Sequence, residues 1–559
     1  MASALGPDAA LGPDSSVETE DGVGPDTGEA CAVDSDQPST PGGTPGAAQR
    51  LRACWPDVLL AGLLSLAIFV VHNVGYMFSA PFWNDEAWVA ISTKLPLRQI
   101  AHVSASTPVG WSLMLRLVLI GGDERLRIVP LVFSALTVIT AYAYARSLPW
   151  PRLWLGRLAA VLAGVAALLV PSALVRDDLK QYTADAFVTL VILWLVSRLE
   201  AGWTRRRLVN LGVVVVAGFL FSAVSAFVGA AAFGSVVLVA LVGRRWRRLA
   251  ESAVAGTATG VLLLLIFVVL YRPGIPAGLN NYWTGYYLPI SEGWAAGWHY
   301  LFQRGHEMAA YLGMGPLVVA LLLVVAGVVT LIRLGRTSVA LIVPALLAEV
   351  IVLGTLKQYP LFDERTSHFL TTAFAVTAAI GVAGLCTLAA RVHVGLAAVV
   401  AVVAVALFVI NPQVHDAIRS QPIPAEDLRT PTRYIASHAQ PRDIIVVGTL
   451  SSWGFAYYWD KGAPATEPVT ANLQGFVTVF PDQPNILVAT DRTPAAVDAV
   501  MDEAAAAAAK AGPTARIWVV HDHTQTAEAQ AFAAAAQAHG LTSQTVIPRR
   551  LALLTQGAT

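Results

Sequence analysis

Charge is what this sequence lacks most. Only 13% of its 559 residues are charged, against about 25% in soluble domains, while 55% are hydrophobic and the mean hydropathy is +0.59. The apolar runs recur too regularly to be the cores of separate soluble domains. Formal net charge is zero, so no basic field draws the chain to nucleic acid. Lysine is scarce, standing only at Lys94, Lys180, Lys357, Lys461 and Lys510, a usage that fits a GC-rich bacterial genome. The three cysteines, Cys31, Cys54 and Cys386, show neither CxxC nor zinc-type spacing and imply no disulfide framework. The N-terminus also lacks a basic segment followed by an apolar one, so it does not read as a signal peptide.

The chain reads as three regions. Residues 1–49 are rich in Gly, Pro, Ser and acids, have no apolar periodicity, and read as a disordered cytosolic tail. Residues 50–410 form a transmembrane domain in which apolar stretches of about 20 residues alternate with short polar loops. The expected spans are 57–79, 126–146, 158–174, 183–198, 208–225, 226–242, 252–271, 309–333, 338–356, 369–389 and 393–410, eleven in all. Segment 108–122 opens with Pro108, carries Arg116 and is too short to cross. Treating it as interfacial puts Arg50/Arg52, Arg146/Arg152/Arg157, Arg205–Arg207, Arg244–Arg248 and Arg333/Arg336 on one side, which the positive-inside rule makes cytosolic. Treating it as a span would scatter them across both sides. The reading is therefore a multi-pass plasma-membrane protein with its N-terminus inside and residues 411–559 outside.

That C-terminal region alternates strand-like runs (444–447, 486–489, 517–520 and 551–554) with helix-like ones (428–438, 494–511 and 524–539), the last stopping at Gly540. This is the pattern of a small α/β domain. The fold class is thus mainly α, a polytopic helical protein with interfacial helices and a C-terminal extracytoplasmic α/β domain.

On this topology the unusual polar residues all lie outside. Trp83-Asn84-Asp85-Glu86 comes after the first span, Arg176-Asp177-Asp178-Leu179-Lys180-Gln181-Tyr182 precedes the fourth, and Lys357-Gln358-Tyr359-Pro360 with Asp363-Glu364-Arg365 comes after the ninth. Each has a plain reading: acids at a helix start cap it, and aromatics at span ends form the interfacial belt. Asp185 resists that reading, because a carboxylate below the interface needs a partner such as Lys180 or an inward cavity. Asp178, Tyr182 and Asp185 are spaced to share one helical face. Read together, the loops suit transfer from a lipid-phosphate sugar. A carboxylate serves as base for an acceptor hydroxyl, and Lys and Arg receive the departing phosphate without a metal.

The residues also resemble the GT-C glycosyltransferase superfamily. The resemblance rests on Asp85-Glu86 after the first span, on Ser106-Thr107-Pro108-Val109-Gly110-Trp111, on Glu124-Arg125-Leu126-Arg127-Ile128-Val129-Pro130, on a K-x-Y-x-x-D pattern at Lys180, Tyr182 and Asp185, and on Lys357-Gln358-Tyr359-Pro360 with Arg365. The bacterial relatives of protein O-mannosyltransferases and of the lipid A aminoarabinose transferase, glycosyltransferase family 39-like proteins, are the most similar. Relatives often have a second proline where Val109 stands. The resemblance implies transfer of one sugar, with inversion, from a polyprenyl-phosphate donor to an extracytoplasmic glycan, lipid or protein hydroxyl. It implies Asp85 as base with Glu86 as its neighbour or substitute, and Asp177 and Asp178 as orienting acids. Phosphate contacts fall to Lys180, Lys357 and Arg365, with Tyr182 and Tyr359 lining the site beside Asp185. No cofactor is implied, and a divalent cation is not required.

The aromatic-rich segment 272–308 is read as interfacial packing ahead of acceptor contact, and His521-Asp522-His523 as a strand-to-helix turn. Two rival functions remain: a transporter or flippase of a lipid-linked precursor, which would place charges at the bilayer midplane, and a non-catalytic membrane scaffold.

Overall fold

The computed structural model describes residues 47–103, 107–118, 122–170, 178–276, 279–410, 418, 426–469 and 475–556. The expected tail therefore lies almost wholly outside the described residues, as does Asp177. The chain divides between Trp55 and Pro56, and the second unit, Pro56–Thr559, carries the helical bundle and the C-terminal sheet. Cys386 is a buried free thiol, while Cys54 is disulfide-bonded, a pairing that the cysteine spacing did not imply.

Among the described residues a helix stands at each of the eleven expected positions. Six, at Cys54–Val71, Glu124–Arg146, Ser225–Val242, Trp246–Gly274, Thr337–Thr355 and His368–Val392, are long and apolar enough to cross a membrane. The first expected span is interrupted, with helix breaks at Ala67 and at His72–Asn73. The His368–Val392 helix is the central one, buried along most of its length. By contrast, Trp246–Gly274 and Val394–Val409 expose Val254, Leu262, Leu265, Val399, Val402 and Leu407. An apolar band of this kind is stable only against hydrocarbon.

Small residues let the central helix meet Leu317–Arg333 at backbone distance. A Cβ at Gly381 would lie 2.4 Å from the Leu323 carbonyl oxygen, and one at Gly327 would lie 2.0 Å from that of Thr377. This is how helices associate where lipid offers no hydrophobic driving force. One end of the bundle gathers the basic loops. Asp57 accepts from Tyr142 (2.8 Å) and Arg146 (3.1 Å), and Glu200 takes the Ser338 N–H at 2.6 Å, beginning the Thr337–Thr355 helix.

The expected interfacial segment is the helix Val109–Leu117, about 13 Å long at 1.5 Å per residue. Its residues clamp other segments. Trp111 is fully buried and donates from Nε1 to the Leu179 carbonyl at 2.8 Å; Arg116 donates to the Ser92 carbonyl at 2.7 Å. Gly110 is needed because its N–H bonds the Leu220 carbonyl (2.8 Å), leaving no room for a Cβ.

The C-terminal α/β domain holds a five-stranded sheet of order β4-β1-β5-β7-β6. Here β1 is Ile444–Val447, β4 Ile486–Val488, β5 Ile517–Val520, β6 Leu541–Ile547 and β7 Leu551–Gln556. β4, β1 and β5 are parallel, while β7 and β6 continue antiparallel. A separate hairpin pairs β2 (Ala465–Pro468) with β3 (Phe476–Val479). Alternation splits the strands cleanly: Ile444, Val446, Ile517 and Val519 pack under the alanine-rich helices Pro494–Ala511 and Thr526–Ala538. Ile445, Val447, Trp518 and Val520 instead join a core containing Phe82, Trp88, Trp111, Trp453 and Tyr457. The domain's second sheet face is thereby continuous with the loop after the first span. The edge strand β6 and the hairpin were not expected from sequence, since Leu541–Ile547 is largely exposed and polar.

Gly381→Leu should overpack the central helix contact and cost ~1–3 kcal/mol. Tryptophan-fluorescence melting in detergent should show a Tm several degrees below wild type, whereas Gly234→Ala, where a Cβ meets nothing within 4 Å, should melt as wild type.

Candidate active site

The three polar turns singled out in the sequence meet at one carboxylate. Asp85 lies in the first turn of the helix Asn84–Ile91. Its Oδ2 accepts from Lys180 Nζ at 2.8 Å and from Arg365 Nη1 at 2.8 Å. Burial alone would raise this carboxyl, but the two cations overcome it and hold it at about 2, below the usual carboxylate range. Each cation also rests near an indole, Lys180 5.4 Å from the Trp88 ring and Arg365 5.8 Å from that of Trp83.

Glu86, one residue on, points the other way. It is fully buried and pairs with Arg127 through both Nε (2.7 Å) and Nη2. Arg127 also donates to the carbonyls of Met77 (2.5 Å), Ala80 (2.7 Å) and Pro81 (3.1 Å), fixing the chain that leads into Asp85. This commitment argues against Glu86 as a substitute base, since it has no face on solvent. Successive helical residues point about 100° apart, so one acid serves the cleft and the other the core.

The second turn is a bend rather than a helix start. Asp178 Oδ1 accepts the Lys180 N–H at 3.1 Å, its Oδ2 is buried without a hydrogen-bond partner among the described residues, and burial pushes its carboxyl up. The helix begins only at Tyr182, so Asp178 does not share the helical face expected for it with Tyr182 and Asp185. Tyr182 is buried beside the charged groups. Asp185 is buried too, with Oδ1 lacking a hydrogen-bond partner among the described residues. Lys180, the partner anticipated for it, is spent on Asp85 instead.

In the third turn Tyr359 acts as a prop. Its hydroxyl donates to the Thr366 carbonyl at 2.6 Å and its ring packs on Phe227 at 5.3 Å, while Asp363 Oδ2 takes the Thr366 N–H at 3.0 Å. Together they fix the turn that carries Arg365. Lys357 is exposed, in a left-handed backbone conformation (φ 57°), and joins no ion pair among the described residues. The structure therefore brings Asp85, Lys180 and Arg365 together, with Asp178 and Tyr182 close by, and leaves Lys357 outside.

Sequence reasoning named Lys94 and Glu124 but did not foresee that they, with Tyr458, Arg429 and Glu426, join the α/β domain to this cleft. Tyr458 OH accepts the Phe82 N–H at 2.8 Å, Lys94 Nζ donates to the Tyr457 carbonyl, Arg429 pairs with Glu124 at 2.5 Å, and Glu426 Oε2 takes the Asn84 N–H at 2.8 Å. No local pattern marks such contacts, because the partners lie hundreds of residues apart. Beside the cleft, an apolar groove of about 410 Å³ is lined by Thr107, Pro108, Gln181, Phe219, Phe227 and Tyr271. A larger apolar cavity of about 690 Å³ lies apart, among residues such as Val165, Met314, Val382 and Val403.

The architecture has counterparts among solved structures. ArnT from Cupriavidus metallidurans, bound to undecaprenyl phosphate, superposes with a TM-score of 0.50 at 12% identity, over 90% of this chain and 99% of that one. Its apo form gives 0.50 at 15% identity, over 91% and 100%. The chain has the GT-C fold. The archaeal oligosaccharyltransferase AglB from Archaeoglobus fulgidus reaches a TM-score of 0.49 at 13% identity, over 84% of this chain and 70% of that one. No family model and no curated protein matches the sequence. In this GT-C fold the loop after the first long helix, which carries Asp85, is packed between the helical bundle and the α/β domain.

Replacing Arg127 by Met should strand the Glu86 carboxylate in the core and cost ~3–5 kcal/mol, enough to abolish recovery of folded protein. Pairing it with Glu86→Gln should restore part of the yield in detergent-solubilised membranes. Lys180→Met should raise the Asp85 carboxyl from about 2. The stabilisation Asp85 supplies above the unfolded carboxylate range would then fade at a higher pH on acidification, read from Tm against pH.

Proposed function

We propose that the protein is a membrane glycosyltransferase that moves a single sugar from a polyprenyl-phosphate donor to a hydroxyl acceptor at the extracytoplasmic face of a bacterial plasma membrane. The observation that carries this reading is Asp85 held between Lys180 and Arg365 at 2.8 Å each, beside an apolar groove and at the end of the bundle opposite the arginine-rich loops. Cations and carboxylate in one cleft match the two charges the reaction must handle.

The acceptor oxygen attacks the anomeric carbon, its proton passes to Asp85, and the bond from that carbon to the phosphate oxygen breaks. Polyprenyl phosphate leaves with the electron pair, and direct displacement inverts the anomeric centre. Lys180 and Arg365 stabilise the charge on the departing phosphate. Their pairing with Asp85 also suggests an order of events. While both cations bond Asp85, its carboxylate is too weak a base to be useful; a donor phosphate that takes over these bonds lets the carboxyl rise toward its ordinary range. The 410 Å³ groove, lined by Gln181 next to Lys180, suits the first isoprene units of the donor. ArnT, whose structure is known with undecaprenyl phosphate, shares the fold and so lends support to a donor of this class. Asp178 would orient Lys180 and Tyr182 would line the site. Lys357 would meet headgroups at the surface rather than the phosphate. Asp177 would remain an orienting acid.

The test is to reconstitute the purified full chain in liposomes with a panel of radiolabelled polyprenyl-phosphate sugars and octyl glycosides as acceptors. Label moving from one donor supports the reading; a panel in which no label moves, to glycoside or to water, overturns it. Asp85→Asn should lower transfer at least ~10³-fold while the protein still folds and inserts, with a lowered Tm because Lys180 and Arg365 lose their counter-ion; full turnover would remove Asp85 as base. Arg365→Ala should weaken donor binding ~10–100-fold, the loss of one charge-assisted contact to phosphate.

A further inference from the structure

The α/β sheet brings its own binding crevice to Asp85. From β1 the chain crosses to β4 on one side and then returns to β5 on the other, so the order β4-β1-β5 places a switch point between β1 and β5. In open α/β sheets ligands bind in the crevice outside the carboxyl ends of strands at such a point. Here that crevice is formed by the turn His521-Asp522-His523, which comes directly after β5 and which the sequence presented as an ordinary strand-to-helix turn.

All three parallel strands contribute to building it. Ser451, just after β1, accepts the Asp522 N–H at 2.8 Å; Arg492, after β4, donates to the His523 carbonyl at 3.2 Å. Asp522 Oδ2 in turn accepts the Asp427 N–H at 2.8 Å. His523 is held at φ 56°, a conformation that costs a non-glycine residue energy and that surrounding contacts must maintain. Its Nδ1 lies 2.5 Å from Glu426 Oε1, and the other oxygen of Glu426 takes the N–H of Asn84, the residue before Asp85. One carboxylate therefore ties the imidazole to the start of the helix that carries the proposed base. The His523 side chain is about half exposed, and no partner for its Nε2 stands among the described residues.

We propose that this crevice is the acceptor subsite, and that His523 Nε2 donates a hydrogen bond to an oxygen of the incoming hydroxyl-bearing glycan beside Asp85. The inference rests on the function proposed above. The acceptor is favoured over the donor for a positional reason: the phosphate-binding cations come from turns of the helical bundle, whereas His523 comes from the α/β domain. It is also already paired with a carboxylate, which makes it a weak ligand for an anion and leaves it a good donor to a sugar oxygen. The charged groups acting on the ring are Glu426, Arg492 and, at longer range, Asp85. Through the Glu426 bond first they hold the imidazole protonated above its usual pH, with burial and then Arg492 opposing. The donor form is thus present below that raised value and lost as pH rises through it.

In the same liposomes, with octyl α-mannopyranoside and octyl α-glucopyranoside offered beside water, His523→Ala should lower the ratio of transfer to donor hydrolysis ~10-fold, the weight of one hydrogen bond. The KM for the glycoside should rise and that for the donor should not. His523→Gln should restore part of the ratio, and Glu426→Gln should move the alkaline loss of transfer to lower pH. Hydrolysis and transfer falling together would make the turn a structural clasp, and unchanged kinetics would place the acceptor elsewhere; either overturns the subsite while leaving the glycosyltransferase reading intact. A wild-type protein that neither transfers nor hydrolyses any donor overturns both.

Discussion

The structure depends on a carboxylate that cannot be buried alone. Asp85 sits where protein has displaced most of its water, and only the approach of Lys180 and Arg365 makes its ionised form stable there. That requirement draws three segments, separated by 95 and 185 positions along the chain, into one cleft. The same arrangement leaves the cleft poised for exchange. On the function proposed above, a donor phosphate would claim the two cations, and the carboxylate would then change from a counter-ion to a base. Buried ion pairs are often replaceable by apolar residues without loss of stability, so the retention of these charges supports the chemistry proposed above.

Around this centre the neighbouring residues divide into those that face the cleft and those that hold its walls. Glu86 and Arg127 neutralise one another in the core and fix three carbonyls of the approach to Asp85. Tyr359 and Asp363 shape the turn under Arg365, and Trp111 and Arg116 pin the helix Val109–Leu117 to the other two segments. Positions in a charged cleft must be kept within a fraction of an ångström for electrostatic stabilisation to be useful. Rigid props of this kind supply that.

The α/β domain belongs to the same device. Half of its sheet packs under alanine-rich helices, and the other half shares a core with the loop of Asp85. The orientation comes from period-2 alternation, because Ile445, Val447, Trp518 and Val520 need an apolar partner and the loop with Phe82 and Trp88 provides one. The carboxyl ends of β1 and β5 are thereby directed to the cleft, where Glu426 links His523 to Asn84.

Much of this was legible in the residues. Runs of about 20 apolar residues located the helices, because hydrocarbon leaves the backbone no other conformation. The shortness of 108–122 and its arginine set it apart from the spans, and a short helix stands there; β1, β4, β5 and β7 declared themselves by apolar runs between turn signals. The exposed edge strand β6 carried no such signal. What the sequence could not rank were neighbours of equal chemistry. Asp85 and Glu86 look interchangeable, as do Lys180 and Lys357, and only packing turned one of each toward the cleft and the other toward Arg127 or solvent. Glu426 gave no sign at all and His523 read only as part of a strand-to-helix turn, since what ties them to the cleft is the contact of Glu426 with Asn84, 342 positions away. Composition and periodicity determine which segments are buried and in what form; the direction of a side chain at a segment's end depends on what the rest of the chain brings against it.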